Sequence, residues 1–87
     1  MKNKKYIMAA SRTDVDRWIE TAKENGSRFI ISVCDTFDYD DYPVYCENTE
    51  ELMEKYPEFD GVNMQRINEV IWIDEQGGVH EGFQPNF

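Results

Sequence analysis

One histidine, two cysteines and half as many bases as acids are what this 87-residue sequence has least of, and each shortage removes a class of function. Cys34, Cys46 and a distant His80 are too few, and too far apart, to assemble the four-ligand site that structural zinc requires. They make no nucleophile–base pair either, because the residues beside both cysteines are acidic, and acids raise a thiol pKa. His80 reads as a surface or half-buried side chain of a hairpin. The glycines of "GVNMQR" and "EQGGVHEG" lack phosphate-loop spacing, and no Lys-Ser or Lys-Thr follows them. No catalytic residue, metal ligand set or cofactor motif emerges, so the expectation is a protein that is not an enzyme and carries no cofactor. No apolar run approaches the roughly 20 residues of a spanning helix, which excludes a helical membrane protein. At the N-terminus, "MKNKKYIMAA" has an apolar part from Tyr6 to Ala10, shorter than the roughly 7–15 residues of a signal core. It reads as a strand, and the protein as cytoplasmic.

Cations are scarce in a second sense. Between Asp35 and Asp60 stand ten acids and one base, Lys55, and this block carries the entire net charge of −9. The remaining eight acids and eight bases cancel. Direct nucleic-acid binding is thereby disfavoured, since it needs clustered Lys and Arg to displace counterions, and so is an anionic membrane surface. Calcium is the other use for such a block. Aligned on Asp38, however, the helix-loop-helix calcium motif puts Tyr42 at a ligand position, Pro43 at the turn glycine and Thr49 at the bidentate glutamate. Aligned on Asp35, it puts Phe37 at a ligand position and Asp40 at the glycine.

What the chain does have is a pattern for one small α+β domain spanning residues 1–87, with 40% hydrophobic residues to build a single core. "KKYIMAA" reads as a strand. "SRTDVDRWIETAKENG" reads as a helix: Val15, Trp18, Ile19 and Ala22 form one apolar stripe, Thr13 is placed to cap the start and Gly26 the end. "SRFIISVCDTF" and "YPVYCE" read as strands around an acidic "DYDD" turn, with Pro43 confining the second to a sheet edge or to the first position of its strand. In a hairpin so placed, Cys34 and Cys46 lie symmetrically about Asp40. They are expected to be reduced core residues, although some registers bring them within bonding reach. Asn48 or Thr49 caps a short helix, "EELMEKY", with Leu52, Met53 and Tyr56 inward and Pro57 ending it. "EFDGVNMQ" reads as a loop. "RINEVIWID" and "VHEGF" read as a hairpin about Gly77 and Gly78, a helix through Met64, Ile67 and Ile71 being the competing reading. The "QPNF" tail is free unless Phe83 or Phe87 docks. Trp18, Trp72, Tyr6, Phe29 and Phe59 are expected in the core. The order suggests a ferredoxin-like βαββαβ sandwich, with an antiparallel sheet of four to five strands and two helices on one face.

A solvated face needs mixed charge, as the first helix has, whereas ten acids against one base add self-repulsion without adding to folding. The expected interaction residues are therefore Asp35, Asp38, Asp40, Asp41, Glu47, Glu50, Glu51, Glu54, Glu58 and Asp60, together with Tyr39 and Tyr42, aromatics interleaved with the acids. Tyr45 shares that placement, and folding of one or two of the three tyrosines over the sheet is the competing reading. In size, acidity and its "CDTFDYDDYPVYCENTEELMEKYPEFD" block, the chain resembles the small acidic inhibitors that phages and mobile elements use against bacterial defences, the anti-CRISPR and anti-restriction proteins. The resemblance is one of class. It implies a partner with a basic nucleic-acid-binding channel, such as a Cas effector or restriction enzyme, in which carboxylates stand in for phosphates. An acidic adaptor for a basic protein unrelated to defence would use the same residues.

Overall fold

Six consecutive buried positions, Phe29 to Cys34, make the first strand the centre of the molecule. The computed structural model describes residues 11–85. Their order is α1 (Arg12–Asn25), β1 (Phe29–Asp35), β2 (Asp40–Cys46), α2 (Thr49–Phe59), β3 (Gln65–Ile73) and β4 (Val79–His80). The four strands form one antiparallel sheet in the order β2-β1-β3-β4. The expected N-terminal strand, Tyr6 and Phe87 lie outside the described residues.

Successive side chains of a strand point to opposite faces, and β1 is apolar on both. Ile30 joins Ile71, Ile73 and Tyr45 beneath Val15, Trp18, Ile19 and Ala22 of α1. Phe29, Ile31 and Val33 join Val44, Cys46 and Val70 beneath Leu52, Tyr56 and Phe59 of α2. The two helices therefore cover opposite faces, not one, and the strand order among the described residues is β2-β1-β3-β4, so the ferredoxin-like arrangement is not the one observed. A strand buried on both sides needs a layer on each side, and each fully buried Ile, Val or Leu contributes roughly 1.5–3 kcal/mol.

Local signals account for the element ends. Ser11, not Thr13, caps α1: its hydroxyl accepts from the Asp14 amide at 3.1 Å, and Gly26 closes the helix at φ 82°. Pro43 lies inside the edge strand β2, opposite Ser32, where a missing amide donor is tolerated. Pro57 does not end α2, which continues to Phe59. In the last turn a proline removes one hydrogen bond while keeping a helical φ, and the extra turn places Phe59 edge-on against Tyr42 at 6.4 Å. Met53 is 46% exposed, so the inward stripe of α2 is Leu52, Tyr56 and Phe59. Residues 65–73 form a strand, not a helix, with a bulge opposite Ser32 and Val33 that leaves Asn68 out of register. β4 is shorter than "VHEGF", and Phe83 docks against Phe29 and Trp72 at 5.5 and 5.8 Å.

Candidate functional site

The hairpin register places Cys46 opposite Phe29 and Cys34 opposite Asp41, so the two thiols are far apart along the strands; both are buried and free. Burial, then the charge of Glu51, pushes the Cys46 thiol up to about 11. Burial, then the hydrogen-bonding Asp41 carboxylate, also raises that of Cys34. Neither is an activated nucleophile. His80 does have a partner: its Nε2 lies 2.8 Å from Asp74 Oδ2, and its ring stacks on Trp72 at 4.5 Å. Asp74 Oδ1 accepts from the amides of Gln76 and Gly78 at 2.9 and 2.7 Å. The pair is thus a clasp on the β3–β4 turn. His80, then the Gly78 amide, holds the Asp74 carboxyl below its usual range. Among the described residues no group of three His, Cys, Asp or Glu is placed to hold a metal ion, and no helix is long and apolar enough to cross a membrane.

The block from 35 to 60 divides by use. Asp35 is half-buried and closes the hairpin loop, Oδ1 accepting from the Phe37 amide at 2.8 Å while its carbonyl accepts from the Tyr39 amide at 2.6 Å. Asp41 accepts from Asn68 at 3.2 Å. Glu51 completes a capping arrangement at α2: its carboxylate accepts from the Glu47 amide at 2.6 Å, while Asn48 accepts from the Glu51 amide at 2.8 Å. Tyr42 turns under α2 beside Phe59, its hydroxyl accepting from Gln65 Nε2, and burial, then Asp35, raises its pKa. Tyr45 packs against the α1 cluster. Of the three tyrosines only Tyr39 is outward, 55% exposed at φ 60°.

The other seven acids, Asp38, Asp40, Glu47, Glu50, Glu54, Glu58 and Asp60, are exposed and form no side-chain hydrogen bond or ion pair with another described residue. Glu50, Glu54 and Glu58 recur every four residues along α2, about 6 Å apart at a helical rise of ~1.5 Å per residue. Because α2 runs back over the sheet from Cys46 to Tyr42, its C-terminal acids reach the same end of the molecule as Asp38 and Asp40. Several of these placements oppose stability. Asp40 sits directly opposite Asp35, and Glu58 and Asp60 stand at the negative end of the α2 dipole, whose last turn has no base.

Two loops meet at that end. Thr36 donates from both its amide and its hydroxyl to the Met64 carbonyl, at 2.7 and 2.8 Å. They expose Phe37 (70%), Val62 (42%) and Met64 (58%), which composition-led reading passed over; the signal was single apolar residues set among Asp, Asn and Gly. At the far end of β1, Arg28, Phe29, Glu47, Asn48, Thr49 and Trp72 line a shallow open cleft of about 250 Å³. Comparison with protein-family models, curated proteins and solved structures found no match for the chain.

Proposed function

We propose that the protein is a non-enzymatic inhibitor of a nucleic-acid-handling defence enzyme, of the anti-CRISPR or anti-restriction kind, acting in the cytoplasm of a bacterial host cell. Its exposed carboxylates occupy the enzyme's basic channel in place of phosphates. The observation that carries this reading is the course of seven exposed acids along α2 and the hairpin tip, with no side-chain hydrogen bond or ion pair to another described residue; three of the seven, Asp40, Glu58 and Asp60, stand where they cost stability. The spacing of about 6 Å between Glu50, Glu54 and Glu58 gives a line of anions roughly half as dense as a nucleic-acid strand, which rises roughly 3.4 Å per phosphate, and the hairpin acids extend that line to a second element. Acids kept at positions that cost stability are best explained by a basic partner.

The test is a cleavage assay with purified restriction endonucleases and Cas effectors. The expected result is that at least one enzyme is inhibited, and that added non-cleavable duplex relieves the inhibition competitively. Inhibition that duplex does not relieve would make the chain an acidic adaptor for another surface. Unimpaired cleavage across the panel would end the reading.

A further inference from the structure

The end of the molecule where residues 36–39 and 60–64 meet differs from the rest of the acidic surface, because it is also apolar. Of the six large apolar side chains exposed among the described residues, four are here: Phe37, Tyr39, Val62 and Met64. The other two, Met53 and Val79, stand apart on α2 and β4. The loops are fastened to each other by the two Thr36 bonds to Met64, and the second is closed on itself by the Gln65 amide on the Val62 carbonyl at 3.1 Å. Among the described residues the three non-glycine ones with left-handed backbone, Tyr39, Asn63 and Met64, are all in these loops. Around the apolar side chains stand Asp38, Asp40, Glu58 and Asp60, all exposed. Arg66, the nearest base in sequence, pairs in register with Cys34, on the sheet face away from Phe59 and α2.

An apolar centre with a charged rim is the anatomy of a protein interface, in which a few buried aromatic or aliphatic anchors supply most of the affinity and the rim supplies steering. The sign of the rim selects the occupant. A second copy of this chain would bring acid against acid, and an anionic bilayer or a nucleic acid would bring phosphate against acid. We propose that this loop end is the anchor of the interface. Phe37, Tyr39, Val62 and Met64 enter an apolar cleft on a protein partner, and that cleft is edged by lysine and arginine, which meet Asp38, Asp40, Glu58 and Asp60. The inference rests on the reading that the acids serve a basic partner, and adds that affinity is fixed by apolar burial at this end, not by charge spread evenly along α2.

The experiment uses the full chain, isotopically labelled, titrated at low salt with three helical peptides of equal length: a Lys/Leu amphipath, a Lys/Ser peptide of the same charge and a Glu/Leu amphipath. The Lys/Leu peptide should bind about tenfold or more tighter than Lys/Ser, with the largest amide shifts in residues 36–39 and 60–64, and Glu/Leu should not bind. The double variant Phe37→Ala, Val62→Ala, both at exposed positions, should lower affinity for Lys/Leu about tenfold and leave Lys/Ser unchanged; Met53→Ala should change neither. Equal affinity for the two lysine peptides, lost on neutralising the exposed acids, would overturn the anchor and leave the charge reading standing. Failure of both lysine peptides to bind would overturn both. Binding of Glu/Leu, or concentration-dependent shifts at the loop end without peptide, would overturn the basic-rimmed partner.

Discussion

Replacing Asp40 by Asn and Glu58 by Gln together should make the protein more stable. Asp40 faces Asp35 directly across the hairpin, and like charges so placed cost about 0.2–1 kcal/mol. Asp35 cannot be the one replaced, because its carboxylate holds the loop amide of Phe37. Glu58 lies in the last turn of α2, where a negative charge against the dipole costs about 0.3–1 kcal/mol, and it repels Glu54 one turn earlier by about 0.2–0.5 kcal/mol. Some attraction to Lys55 is lost in exchange, in the weaker base-before-acid orientation. The net gain is about 1 kcal/mol, which raises the melting temperature of a domain this size by roughly 4–8 °C. Thermal melts followed by circular dichroism at about 10 mM ionic strength, where the Debye length is about 30 Å, should show it. The same pair of melts at about 1 M salt, with screening within about 3 Å, should bring the two proteins together. A double variant that melts at or below the parent at low salt would mean that these acids are locally compensated, and the argument that they are kept for a partner would lose its energetic basis.

Leu52→Ala, at a side chain only 1% exposed, should cost about 2–5 kcal/mol in urea unfolding, a large part of the stability of so small a domain. Cys46, with its pKa raised to about 11 and its side chain buried, should resist iodoacetamide at pH 8 until denaturant is added. The lowered Asp74 pKa contributes stability that is present above the ordinary carboxyl range and is lost as pH falls through the folded value, so acid should loosen the β3–β4 turn first. Followed by carboxyl NMR, His80→Gln should move the Asp74 titration back up, while a titration unmoved by that change would assign the shift to the turn amides alone.

The elements with a complete local pattern were legible: α1 from its stripe and glycine cap, and β2 as a strand for which Pro43 leaves a sheet edge or the first position. The last hairpin turns at Glu75 and Gln76, not at the Gly77–Gly78 dipeptide: the Gly77 amide donates to the Asp74 carbonyl at 3.0 Å, and Gly77, at φ 81°, follows the turn. Element order suggests one covered face, whereas the run "FIISVC", apolar on both sides of a strand, requires cover on two. Pro57 misled because a proline rule for helix interiors was applied to a last turn, where the packing of Phe59 outweighs one lost bond. In the site, counting acids located the charged side of the molecule but could not separate Asp35, Asp41 and Glu51, which serve local hydrogen bonds, from the seven acids that face solvent. The Glu three residues after Asn48 was a readable capping signal. Phe37 and Met64 could be brought together only by the Thr36 bonds to the Met64 carbonyl, a contact across the sheet that no local pattern contains.

The most direct measurement of the central claim is the salt dependence of inhibition of a susceptible nuclease, taken for the parent and two variants shown to be folded at the assay temperature. One variant carries Asp38→Asn, Asp40→Asn, Glu54→Gln and Glu58→Gln; the other carries Glu20→Gln and Glu24→Gln on the charge-balanced α1. Carboxylates that replace the channel's counterions make inhibition fall steeply with salt, so the first variant should inhibit several-fold less at low salt with a flattened slope, and the second should follow the parent. If the α1 variant loses inhibition while the block variant retains both potency and slope, the acidic course is a solvated face and phosphate mimicry is wrong.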